Sequence, residues 1–143
     1  MSDIAGYMTG IHRECDELFV QAEQAIANGQ WVEAGKQLAA FVQDLEHHLQ
    51  QEEKVLFPRF EQATGMTQGP TEMMRMEHSQ MRALCQELEQ AVTNENKLQG
   101  LGVCETLMIL MQQHNMKEEQ VLYPMTDRTL ADSDAVVSEL KAY

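Results

Sequence analysis

The chain reads as two copies of one pattern. Laying its second half on its first at an offset of 66 residues puts His12 on His78, His48 on His114 and Glu52 on Glu118. Around the later pairs, Glu52-Glu53, Val55-Leu56, Phe57 and Pro58 fall on Glu118-Glu119, Val121-Leu122, Tyr123 and Pro124, while Met8 falls on Met74 and Leu18 on Leu84. A unit this short cannot bury an apolar face alone and must close against its copy. The 143 residues therefore predict one domain over 1–143, built from a duplicated helical hairpin, with its core in 3–126 and a tail in 127–143.

The period of the apolar residues makes the hairpins helical. Four stretches carry helical spacing, at 3–28, 31–63, 70–93 and 97–126. Asn28-Gly29 is a good left-handed helix end, Gly65 breaks the second stretch, Pro70 opens the third, and Asn94-Glu95-Asn96 separates the third from the fourth. Only 3 Pro and 8 Gly agree with an all-α chain. Short connections favour antiparallel neighbours, so the expected architecture is an up-down-up-down four-helix bundle, and Ser133 to Tyr143 adds a short helical tail.

The histidines sit at matching distances from the turns. His12 and His48 are 36 residues apart about a midpoint near Gly29, His48 and His78 are 30 apart about Ala63, and His78 and His114 are 36 apart about Asn96. Antiparallel helices rise equally on both sides of a turn, so the four histidines are expected at one level. They also face inward, because Phe41, Leu45, His48, Glu52 and Leu56 form one stripe at i, i+3, i+4 spacing, and Leu107, Met111, His114, Glu118 and Leu122 repeat it. A carboxylate on such a face costs several kcal/mol unless something positive compensates it.

Within each stripe the i, i+4 separation of His48 from Glu52, and of His114 from Glu118, lets both side chains reach one centre. Glu53 and Glu119 are turned about 100° further around the helix and are expected to be solvated charges. Four imidazoles and two carboxylates suit iron, manganese or zinc, and the two-halved pattern favours a dinuclear centre. If both glutamates bridge, the protein fills about eight of roughly twelve octahedral positions, leaving room for a bridging oxygen and a small ligand.

Composition narrows the function classes. A net charge of −13 with only 10 Lys and Arg excludes a phosphate-backbone partner, so no nucleic acid is expected. No apolar run reaches the roughly 18 residues of a membrane span, and no basic-then-apolar leader follows Met1, so a cytoplasmic protein with no membrane partner is expected. Cys15, Cys85 and Cys104 form no close pair and are expected to be reduced packing residues, although Cys15 and Cys85 lie near the inner face. The methionines, including Met8, Met74, Met81, Met108, Met111 and Met116, are expected to fill the core rather than hold copper. His47, rotated by about 100° from His48, is expected at an interface or the surface. Tyr7 and Tyr123 are candidates for a hydrogen bond near the pocket or a place at its mouth.

These motifs, in this order, resemble the hemerythrin-like, or HHE cation-binding, family over about residues 3–126. The residues that carry the resemblance are His12, then His48-Leu-Gln-Gln-Glu52 running into Val-Leu-Phe-Pro, then Glu77-His78, then His114-Asn-Met-Lys-Glu118 running into Val-Leu-Tyr-Pro. The resemblance implies two oxo-bridged iron ions that bind oxygen or another diatomic molecule. Oxygen-carrying members usually have a second histidine four residues after the third-helix histidine and an aspartate five residues after the last. Here Arg82 and Glu118 take the places of those roles, which is closer to members associated with nitric oxide, oxidative stress and iron-centre repair. The repeat maps Asp16 onto Arg82, so Asp16 is either an extra ligand or a salt-bridge partner. The leading expectation is a binding or sensing protein with no residue assigned to catalysis; an oxidoreductase acting on peroxide or nitric oxide and a metal-stabilised interaction module are the alternatives.

Overall fold

In the computed structural model, which describes residues 3–143, every regular element among the described residues is helical. The helices are α1 (Ile4–Ala27), α2 (Trp31–Gln51), α3 (Phe57–Thr64), α4 (Pro70–Thr93), α5 (Lys97–Lys117), α6 (Tyr123–Thr129) and α7 (Ser133–Ala142). Helix α1 lies along α2 and α4 along α5, while α2 also packs on α4 and α1 on α5. The four long helices thus close a ring around a common interior. None is long and apolar enough to cross a membrane.

The two hairpin turns repeat as faithfully as the helices. Gly29 adopts φ 67° and Glu95, at the equivalent place, φ 51°; each reverses the chain in the left-handed region that glycine enters freely. Gln30 N–H then donates to Ala25 at 2.9 Å and Asn96 N–H to Ala91 at 2.8 Å. Asn96 also caps α5 by accepting from the Gln99 N–H.

The second and fourth predicted helices are not continuous. Each is interrupted by a π-helical turn, at Glu52–Leu56 and at Glu118–Leu122. Pro58 and Pro124 explain the interruption, because a proline lacks the N–H for an α-helical bond and its ring collides with the carbonyl four residues back. The wider turn relieves both problems, with Phe57 N–H reaching back to Glu52 O and Tyr123 N–H to Glu118 O. It also rotates the chain so that the consecutive residues Val55, Leu56 and Phe57 are all buried, which an α-helix would spread over most of its circumference.

Two apolar clusters result. One gathers Cys15, Phe19, Ile26, Leu38, Phe41, Leu45, Met81, Leu88, Leu107 and Met111. The other gathers Ile4, Met8, Leu56, Phe57, Phe60, Met74, Leu122 and Tyr123, together with Val136, Val137 and Leu140 of the tail. The tail is therefore part of the core, and Gln51 anchors it by donating 2.8 Å to the Leu140 carbonyl. Met116 is a correction to the sequence reading: it is 54% exposed, since its place on α5 faces solvent rather than either cluster. His47 is exposed and stacks on Tyr143, as its rotation from His48 requires.

Candidate metal centre

The layer between the two clusters is polar. Residues one turn to one side of the histidines, Cys15, Leu45, Met81 and Met111, belong to the first cluster, and Met8 and Met74 on the other side belong to the second. His12, His48, His78, His114, Glu52 and Glu118 fill the layer, none more than 3% exposed. All six predicted residues are thus brought together.

Their inner atoms converge without forming ordinary hydrogen bonds to one another throughout. His78 Nε2 lies 3.1 Å from Glu52 Oε1, and His114 Nε2 lies 3.2 Å from Glu118 Oε1. His78 Nε2, His114 Nε2, Glu52 Oε1 and Glu118 Oε2 nevertheless have no hydrogen-bond partner. Buried polar atoms in proteins are normally paired, and a set of unpaired lone pairs aimed at common points fits a cation. Two groups of atoms lie close enough to hold an ion, Glu52 with His78, His114 and Glu118, and His12 with His48 and Glu118. Glu118 belongs to both.

Three of the four histidines are oriented from behind. His12 Nδ1 donates to Glu119 at 2.7 Å, His78 Nδ1 to Glu53 at 2.7 Å, and His114 Nδ1 to Glu77 at 2.8 Å. A carboxylate on the outer nitrogen fixes the ring and leaves the inner lone pair free. Glu53 and Glu119, expected in solvent, therefore serve the site; the 100° step that turns them from the interior points them at the neighbouring helix. Glu77, next to His78 on α4, does the same. His48 has no such support, and its Nδ1 is unpaired. The repeat explains the difference, since the position equivalent to Glu77 is Ile11.

A second tier of cations holds the carboxylates. Arg82 donates to both Glu53 oxygens, at 2.9 and 3.0 Å, and to both oxygens of Glu46, at 2.9 and 3.1 Å. Lys117 donates to Glu77. Arg82 is thus occupied by Glu46 and Glu53 rather than by Asp16, and Asp16 stands outside both converging groups. Substituting Glu53 or Glu77 by glutamine is expected to weaken metal affinity by about 10–100-fold without unfolding the chain, as a competition titration against a chelating dye would measure.

Electrostatics in the layer reflect the crowding. Burial pulls the His12 imidazole down, but Glu118 and Glu119 outweigh it and raise the pKa to about 9. His78 rises to about 9 against the same burial through Glu52 and Glu53. His48 falls well below its ordinary value through burial and the neighbouring His12. Burial and the facing Glu118 push Glu52 up to about 7, whereas His114 and His12 hold Glu118 well below the carboxylate range despite its burial. The opposing shifts reflect two buried carboxylates and four imidazoles packed into one layer.

Tyr123 enters the layer from the second cluster. It is fully buried and donates to Glu52 Oε2 at 2.6 Å. On the opposite side lies a cavity of about 10 Å³, floored by His12, His48 and His114 and walled by Leu45, Met81 and Met111. At this volume it lies at the lower limit for a single water. The larger groove, about 670 Å³ between α2 and α4, is lined by Leu38, Val42 and Val92 and touches none of the six residues. Cys15 borders the small cavity but, like Cys85 and Cys104, is buried and free, and burial raises all three thiols.

A helical bundle with four histidines and two carboxylates projecting into its interior defines a cation-binding protein of the bundle class. The chain belongs to the hemerythrin HHE cation binding domain family, whose model matches residues 3–126. Neither the curated proteins nor the solved structures include a match.

Proposed function

We propose that this chain is a non-haem di-iron protein, folded as an up-down-up-down four-helix bundle, that binds or senses a small diatomic molecule. His12, His48, His78 and His114 are its terminal ligands, and Glu52 and Glu118 bridge the two ions. The observation that carries this reading is the sharing of Glu118 between two groups of buried, convergent ligand atoms. Glu52 supports it, lying 3.1 Å from His78 Nε2 and 3.5 Å from His48 Nε2. The three-residue connections of the two hairpins favour the antiparallel arrangement.

The donor set of imidazole and carboxylate suits iron and leaves manganese and zinc as competitors. Bound iron would supply electron exchange and open coordination positions for a diatomic ligand. The protein's own part is to keep the space beside those positions small. Leu45, Met81 and Met111 wall a space of about 10 Å³, far below the roughly 300 Å³ or more of an ordinary organic-ligand pocket. A space this small excludes an organic substrate from this side of the layer.

Ferrous protein prepared under nitrogen is expected to change its absorption when nitric oxide or oxygen is admitted and to recover when the gas is removed. Steady consumption of peroxide or nitric oxide with an electron donor would replace binding by an oxidoreductase function. A metal-dependent melting temperature with no response to any of these molecules would leave a metal-stabilised interaction module.

A further inference from the structure

The two halves of the repeat are unequal at one position that touches the ligand layer. The residue equivalent to Tyr123 is Phe57, 66 positions earlier. Phe57 stacks on the His78 ring, with centroids 5.6 Å apart, and brings no polar atom. The Tyr123 oxygen instead lies 2.6 Å from Glu52 Oε2, 2.9 Å from Glu118 Oε1 and 3.1 Å from His12 Nε2. A phenol has one proton and donates once, so its donation to Glu52 leaves the other two approaches without a donor from Tyr123.

The spacing of these atoms suits ligation. With metal–ligand bonds of about 2.1 Å, neighbouring corners of an octahedron are about 3 Å apart. His12 Nε2 stands 3.1 Å from His48 Nε2 and 3.1 Å from Glu118 Oε1, and the Tyr123 oxygen extends the same set at 2.9 and 3.1 Å. Histidine and carboxylate donors alone are also uneven. Glu52 converges with His78, His114 and Glu118, whereas it meets the group of His12, His48 and Glu118 through its 3.5 Å approach to His48 Nε2.

We propose that Tyr123 is itself a metal ligand, its phenolate oxygen completing the position built by His12, His48 and Glu118. The proposal rests on the di-iron reading above. On ligation the O–H bond is replaced by an oxygen–metal bond and the proton is released to solvent. The two ions of the pair are then chemically distinct, because the one held by His78 and His114 faces Phe57 and receives no phenolate. A phenolate is a hard anionic donor that ferric iron accepts, as it does in haem catalases. Tyr123 thereby favours the ferric state at one of the two positions.

The test loads the intact protein with ferrous iron under nitrogen, counts the iron, and oxidises it with ferricyanide. Ferric wild-type protein is expected to gain a visible phenolate-to-iron absorption band that dithionite abolishes. Raman excitation within that band should enhance phenolate ring modes, which move when the protein is grown on ring-deuterated tyrosine. Tyr123→Phe should lose the band, while Tyr7→Phe and Tyr143→Phe keep it. Iron-loaded wild-type protein without the band, or a band that survives in Tyr123→Phe, would overturn the assignment and leave Tyr123 as a hydrogen-bond donor to Glu52. The wild-type Raman spectrum decides the matter even if Tyr123→Phe fails to fold. Wild-type protein that takes up no iron overturns the di-iron reading and this proposal together, so the iron count separates the two failures.

Discussion

Glu118→Gln is expected to cost the protein both metal ions at once, whereas His48→Ala is expected to cost one. Glu118 is the residue common to the two groups of converging atoms, and it is completely buried. Glutamine preserves its volume and one oxygen but removes the negative charge that two cations would share. Loss of a partner one step removed from a metal already costs about 10–100-fold in affinity; loss of the shared ligand should exceed the upper end of that range for both ions. His48 belongs to only one group, and its removal leaves Glu52, His78, His114 and Glu118 in place. Metal content per chain after gel filtration distinguishes the two variants. Equal metal loss in both would contradict a shared Glu118.

Stripping both ions is expected to lower the melting temperature by roughly 20–30 °C when free metal is about 1,000-fold above its Kd, because binding then contributes about 4 kcal/mol per ion. The difference should widen between pH 6.5 and pH 9. In the metal-free protein His12 and His78 have pKa values raised to about 9. Their protonation stabilises the fold fully below the ordinary value of about 6.5, and that contribution is lost as pH rises through 9. Glu52, raised to about 7, acts in the same direction, since its ionisation in the crowded layer is unfavourable. Metal needs these ligands deprotonated and binds better as pH rises. Calorimetric scans of loaded and stripped protein across this range test the sign, and a difference that narrows toward pH 9 would contradict it.

How far the sequence revealed this site depends on whether a feature lies on one helix or between two. His48 with Glu52, and His114 with Glu118, were legible because an i, i+4 pair interrupting an apolar stripe is visible on a single helix. The turns near Gly29 and Asn96 then placed all four histidines at one level. Glu53 and Glu119 were misread as solvated because a helical wheel gives their angle from Glu52 and Glu118 but not the neighbour that stands there. His78 and His12 stand there, 2.7 Å away. The repetition of Glu53 at Glu119 was the available signal. Pro58 and Pro124 lie inside stretches, 31–63 and 97–126, whose helical period runs on past them, and the structure answers with a π turn beginning at each carboxylate ligand candidate. The role of Tyr123 had no local signature; it follows from its approach to residues on three other segments.

A pair of irons within one layer of this bundle is tested most directly by the metal content of the protein as purified from iron-replete cells, combined with iron X-ray absorption. The expected result is close to two irons per chain, with nitrogen and oxygen neighbours and a second iron within about 4 Å. A single zinc, a single isolated iron, or no metal in a chain of unchanged helicity would contradict it.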